Sequence, residues 1–167
     1  ELVDYIVAIH HEFLKRELPR IEALFAVVLD VHKEYHSELI ESLYYAFLAA
    51  KRIVEVHMAR EERLLFPYIQ RLDAYTGEGK RPPFPYASAE NPIHQLHSDH
   101  EYGDMAMAEM RALTSDYRLP DDACPQLRAL YEGLKQVEAD VHEHTRLEDE
   151  HLFPRALQRE HDKCNHN

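Results

Sequence analysis

The stretch HMAREERLLFP (residues 57–67) recurs as HTRLEDEHLFP (residues 144–154), with one spacing in both copies: His-x3-Glu-x4-Phe-Pro. In a helix, residues four apart lie on one face, a turn from each other. The face in question is the apolar one. A carboxylate buried without a partner is very costly, and it persists only where something pairs with it or coordinates it. The chain must therefore fold so that two inward-facing glutamates meet cations or donors inside a core.

The surrounding periodicity names that fold. Core positions recur at alternating steps of three and four, the pattern of helices packed in a bundle. The first series is Val7, His11, Leu14, Leu18, Ile21, Phe25, Val28, His32; the second is Leu43, Phe47, Ala50, Val54, His57, Glu61, Leu64, Tyr68. The third is Ile93, Leu96, His100, Gly103, Met107, Met110, and the fourth Leu130, Leu134, Val137, Val141, His144, Glu148. Only four glycines and no tryptophan suit a mostly helical chain. The reading is all-α: an antiparallel up-down-up-down four-helix bundle over residues 1–160, with a polar tail at 161–167 that carries His161 and His166.

Breaks fall where turns are needed. One lies around residues 35–37, a long proline-rich connection spans residues 76–92, and LPDD (residues 119–122) makes a compact turn with an acidic N-cap for the last helix. Pro19, Pro67 and Pro154 fall inside helical patterns, and each is expected to kink or end its helix.

Helical rise is about 1.5 Å per residue, so distance from a turn measures height in the bundle. His11 and His57 are equidistant from position 34, His100 and His144 from position 122, and His57 and His100 from the long connection. Four histidines, one per helix, are thus expected on one level, with Glu61 and Glu148 inward about one turn away. Imidazoles and carboxylates converging on a bundle axis suit transition metals. Two bridging glutamates would hold a pair of ions, each also bound by two histidines, with positions left for a bridging oxygen, dioxygen or nitric oxide. A single tetrahedral zinc would leave donors unused. Ferritin-like bundles use Glu-x-x-His, a different order and step. The competing explanation for each motif is a buried His–Glu hydrogen bond, which two copies at one height disfavour.

The other candidates have plainer readings. His11 follows the core series and His10 lies to one side; His100 is selected over His97 and His94, which belong on or near the surface. His32 lies about 31 Å along an unbroken helix from His11 and reads as a turn-proximal structural residue. His36 and His151 read as partly exposed. Asp99, Glu101 and Asp104 read as a solvated helix face, the alternative being that one of them orients an imidazole. Met105, Met107 and Met110 read as core filler, and Cys124 is assigned no chemistry.

At HHEFLKRELPRIEAL (from His10), HMAREERLLFP, HQLHSDHE (from His94) and HEHTRLEDEHLFPRAL (from His142), the sequence resembles the hemerythrin-like HHE cation-binding domain, and within it the bacterial iron–sulfur cluster repair di-iron proteins. The likeness covers nearly the whole chain. It implies a bridged non-haem pair of iron ions on His11, His57, Glu61, His100, His144 and Glu148, with zinc and manganese suited to the same donors. It also implies binding of O2 or NO, or donation of iron to iron–sulfur proteins damaged by nitrosative or oxidative stress. Alternatives are an oxygen or NO sensor, an iron store, or a small di-iron oxidase or ferroxidase. Many such proteins carry a short N-terminal domain with a cysteine pair, which either was removed from this sequence or was never part of it, so no thiol-dependent step is expected of the residues given. Where oxygen-carrying hemerythrins place a further histidine stands Leu96, which leaves the metal pair more open.

A net charge of −12 argues against nucleic acid and anionic membranes as partners. Two distant cysteines, Cys124 and Cys164, and the lack of a leader or a long apolar run lead to the expectation of a bacterial cytoplasmic protein.

Overall fold

The computed structural model describes residues 1–31, 37–78 and 80–164. These residues form four long helices and no strand: α1 over residues 2–31, α2 over 37–74, α3 over Glu90–Thr114 and α4 over 125–164. The first break, with His32 and His36, falls outside the described residues apart from Ser37, where α2 begins, and so does His166. α2 packs along α3, α1 along α4, and α1 also along α2. No described helix is long and apolar enough to cross a membrane.

The expected series fill the interior, with two corrections. α1, α2 and α4 each contain one widened π turn, at Ile6–His11, Glu61–Leu65 and Glu148–Leu152. A π turn takes in an extra residue, so the inward face advances by one position beyond it. Ile6 is therefore fully buried where Val7 was expected, and Leu65 is buried where Leu64 was expected; Val7 and Leu64 are only half-buried.

Three further expectations are revised. None of the three prolines ends its helix: α1 runs on through Pro19, and Pro67 and Pro154 each stand second in the α-helical stretch after a π turn. At Pro67 and Pro154 the residue four back, whose carbonyl a proline ring would meet in a regular helix, lies within the widened turn. The N-cap of α4 is Cys124, whose Sγ accepts from the Leu127 N–H at 3.3 Å; Asp121 and Asp122 do not cap it. Met105 is 68% exposed, since Met107 and Met110 hold the inward face two and five positions on.

The apolar interior forms two clusters. One joins Leu14 to Val28 with Ile40 to Met58, Ala106 to Met110 and Leu127 to Val141. The other joins Val3, Ile6, Leu65 to Leu72, Ile93, Leu96 and Leu152 to Ala156. Each fully buried Leu, Ile or Phe contributes roughly 1.5–3 kcal/mol. His10, His11, His57, Glu61, His144 and Glu148 lie between the clusters along their helices, and all six are buried. The core thus has a polar layer between two apolar ones.

Candidate metal centre

All six residues singled out in the sequence meet in that layer. Helices α1 and α4 bring the His11 and His144 Nε2 atoms to 3.2 Å, and α2 and α3 bring those of His57 and His100 to 3.3 Å. Glu61 Oε2 lies 3.2 Å from His57 Nε2, 3.3 Å from His11 Nε2 and 3.7 Å from His144 Nε2. Glu148 spans both histidine pairs, with Oε1 2.7 Å from His144 Nε2 and Oε2 3.1 Å from His100 Nε2. Two donor groups result, each within 4.8 Å: His11, Glu61, His144 and Glu148, and then His57, His100 and Glu148.

The layer is poorly satisfied by hydrogen bonds alone. Neither oxygen of Glu61 has a hydrogen-bond partner among the described residues, although the side chain is fully buried. Buried polar atoms are nearly always paired, so two such orphans on one carboxylate call for an explanation. A cation supplies it. Imidazole nitrogens and carboxylate oxygens facing one another fit a borderline transition ion, and Glu148 belongs to both donor groups.

The histidines and glutamates also shift one another's affinity for protons. Burial is the strongest single effect on His57 and His144 and works against their charge. The glutamates outweigh it: Glu61, Glu148 and Asp99 hold His57 well above its ordinary value of 6.5, and Glu148 and Glu61 push His144 up to about 9. His100 is raised against burial by Asp149 and Glu148. Burial likewise works against ionisation of Glu148, but His144, His100 and His57 hold it well below its ordinary 4.5. Glu61 is lowered too, against burial and against Glu148, by His57, His11 and His144. Metal must displace these protons to bind.

The doubled motif carries more than its histidine and glutamate. Glu62 and Asp149, the residues after the two glutamates, face the histidine of the neighbouring helix: Glu62 Oε1 is 2.7 Å from His11 Nδ1, and Asp149 Oδ1 is 3.1 Å from His100 Nδ1. The phenylalanine of each Phe-Pro stacks on the same ring, Phe66 on His11 with centroids 5.6 Å apart and Phe153 on His100 at 6.1 Å. Each copy therefore supplies two candidate ligands of its own and clamps a third on the next helix. A carboxylate on Nδ1–H fixes the tautomer that turns the Nε2 lone pair inward. Sequence reading missed all four residues, although their matched offsets in the two copies were there to find.

The remaining candidates fall as follows. Asp99 faces His57 Nδ1 at 3.8 Å, beyond hydrogen-bonding distance, and is held by Arg60 at 2.7 Å; it does not orient His100. Asp104 lies 3.3 Å from His142, and Glu101 is exposed. His10 is buried beside the centre, bonded to Asp140 at 3.0 Å and stacked on His144 with centroids 5.7 Å apart. His97 is half-buried with Nε2 3.1 Å from Asp149; His94 and His151 are exposed.

A helical bundle with a buried layer of four imidazoles and two carboxylates has the make-up of a metal-binding bundle. The hemerythrin HHE cation-binding domain matches residues 2–156, and the chain belongs to that family. It is 31% identical over 160 residues to the iron-sulfur cluster repair protein YtfE of Dickeya chrysanthemi, and equally to that of Musicola paradisiaca; each match covers 96% of this chain and 66% of the relative. The YtfE protein of Yersinia pseudotuberculosis is 31% identical over 159 residues, again covering 66% of the relative. The chain thus spans 66% of the length of these curated relatives.

Proposed function

We propose that this protein is a non-haem di-iron protein that binds NO or O2, or donates iron, in the repair of stress-damaged iron–sulfur clusters. The ligands are His11, His57, Glu61, His100, His144 and Glu148, in the up-down-up-down antiparallel bundle expected from the sequence. That course is supported by the contacts of α1 with α2, which run Asp4–Gln70, His11–Glu62 and Glu22–Lys51. The observation that carries the reading is the fully buried Glu61 carboxylate, facing three imidazole nitrogens with no hydrogen-bond donor of its own.

Iron held here would supply redox electrons and an open coordination position. The protein's part is structural and electrostatic. Glu62 and Asp149 keep protons on the Nδ1 atoms of His11 and His100, so that the Nε2 atoms face inward as donors. Glu148, common to both donor groups, would offer one carboxylate oxygen to each cation. The apolar clusters above and below exclude water. Iron–sulfur proteins are the proposed recipients, a reading supported by the names of the relatives.

The test is repair itself. Anaerobically iron-loaded protein should restore activity to a cluster enzyme inactivated by nitric oxide, and the Glu61→Ala variant should not. Loaded protein that neither restores the enzyme nor reacts with nitric oxide would overturn the reading.

A further inference from the structure

Two glycines stand inside helices, and they have different neighbours. A Cβ on Gly133 of α4 would lie 2.9 Å from Arg20 Nη2 and 3.1 Å from Ile21 Cγ1, so glycine there lets α1 and α4 approach closely. Gly103 of α3 is buried too, yet a Cβ on it would meet no atom of another helix within 4 Å. A glycine inside a helix weakens it relative to alanine. Close packing, the usual compensation, does not apply at Gly103.

The space beside Gly103 is a cavity of about 20 Å³, walled by Ile53, Val54 and Val141 and reaching His57, His100 and His144. Roughly 10–15 Å³ of such volume holds one water molecule. The cavity therefore accepts one molecule of water or diatomic size and nothing as large as an organic substrate. Its lining is apolar apart from the imidazoles, Asp99 and Thr145, so size selects the ligand more than charge does. It touches both donor groups, at His57 and the half-buried His100 of one and at the buried His144 of the other.

We infer that Gly103 is a specificity residue: by lacking a side chain it keeps open the pocket through which a diatomic ligand reaches the centre beside His57, His100 and His144. The inference rests on the proposed metal centre. It adds the residue past which that centre is approached and the size of ligand admitted.

The experiment compares wild type, Gly103→Ala, Gly103→Val and Val141→Ala in two states. In the metal-free state the Tm is measured. Access predicts that Gly103→Ala keeps or raises the Tm, because alanine favours helix and fills empty space; a fall would show that the glycine serves packing and would overturn the inference. In the iron-loaded state, iron content and the rate of nitric oxide association are measured. With iron content equal to wild type, association should slow about fivefold in Gly103→Ala and at least tenfold in Gly103→Val, and quicken in Val141→Ala. An unchanged rate in Gly103→Val with iron retained would overturn the inference and leave the metal centre standing. A wild-type protein that takes up no iron would sink the underlying reading, and this one with it.

Discussion

This protein buries glutamates in two ways, and the contrast separates scaffold from site. Glu138 accepts from the Tyr117 hydroxyl at 2.8 Å and pairs with Arg111. Glu160 accepts from the Tyr68 hydroxyl at 2.5 Å and the Ala89 N–H at 3.0 Å, and pairs with Arg81. Both are 7% exposed and tie irregular segments to the bundle. Glu138 anchors the turn after α3, where Ser115, Asp116 and Tyr117 all take left-handed backbone conformations that cost roughly 1–2 kcal/mol each without glycine. Glu61 and Glu148 are fully buried and face imidazoles instead. A buried carboxylate met by tyrosine, arginine and backbone donors holds the fold together. One met by imidazole nitrogens is suited to sharing a cation with them.

That contrast can be broken most severely at Glu148, which belongs to both donor groups. Glu148→Gln should lose more metal affinity than the roughly 10–100-fold typical of an outer partner, read by competition with a chromophoric chelator. Retention of both ions would place Glu148 with the scaffold. Next comes Glu138→Ala, expected to destabilise the fold by about 1–3 kcal/mol in denaturant melts through the loss of its hydrogen bonds, with iron content unchanged. Asp149→Asn and Glu62→Gln should each weaken metal binding about 10–100-fold while the Tm of the metal-free protein moves little.

The pH dependence comes last, and its sign follows from the groups of the layer. His144 is raised to about 9 and His57 well above 6.5 in the metal-free protein. The stability they contribute is complete below the unfolded value of 6.5 and is lost as pH rises through their folded values. Glu148 is depressed, so its contribution is present above 4.5 and lost as pH falls through its lower folded value. Metal-free protein should therefore be most stable between about pH 4.5 and 6.5 and soften towards pH 9. Metal affinity should rise over the same interval as the competing protons leave. Thermal melts and metal titrations at matched pH should show these opposite slopes.

Much of this was legible in the sequence because a helix converts spacing into direction. The four seams and the six layer residues follow from steps of three and four, and the shared level follows from distances to the turns. What the sequence hid was local geometry. A π turn leaves no mark in composition, so Leu64 was expected where Leu65 is buried and Val7 where Ile6 is. Those turns lie at Glu61, Glu148 and the run ending in His11, the residues of the layer itself. Partners across helices were equally hidden: Glu62 reads as an ordinary surface acid until α1 brings His11 against it. Cys124 capped α4 where LPDD was expected to, because the turn places its sulfur, and not Asp121 or Asp122, at the first free N–H groups.

The most direct measurement is an anaerobic titration of ferrous iron into metal-free protein, followed by calorimetry with proton release and by Mössbauer spectroscopy of the loaded sample. Two irons per chain, antiferromagnetically coupled once oxidised and bound with release of protons, are the result expected of six side chains clasping a pair of ions. Binding of one iron or none, or of two that persist in a Glu61→Ala, Glu148→Ala double variant, would contradict it.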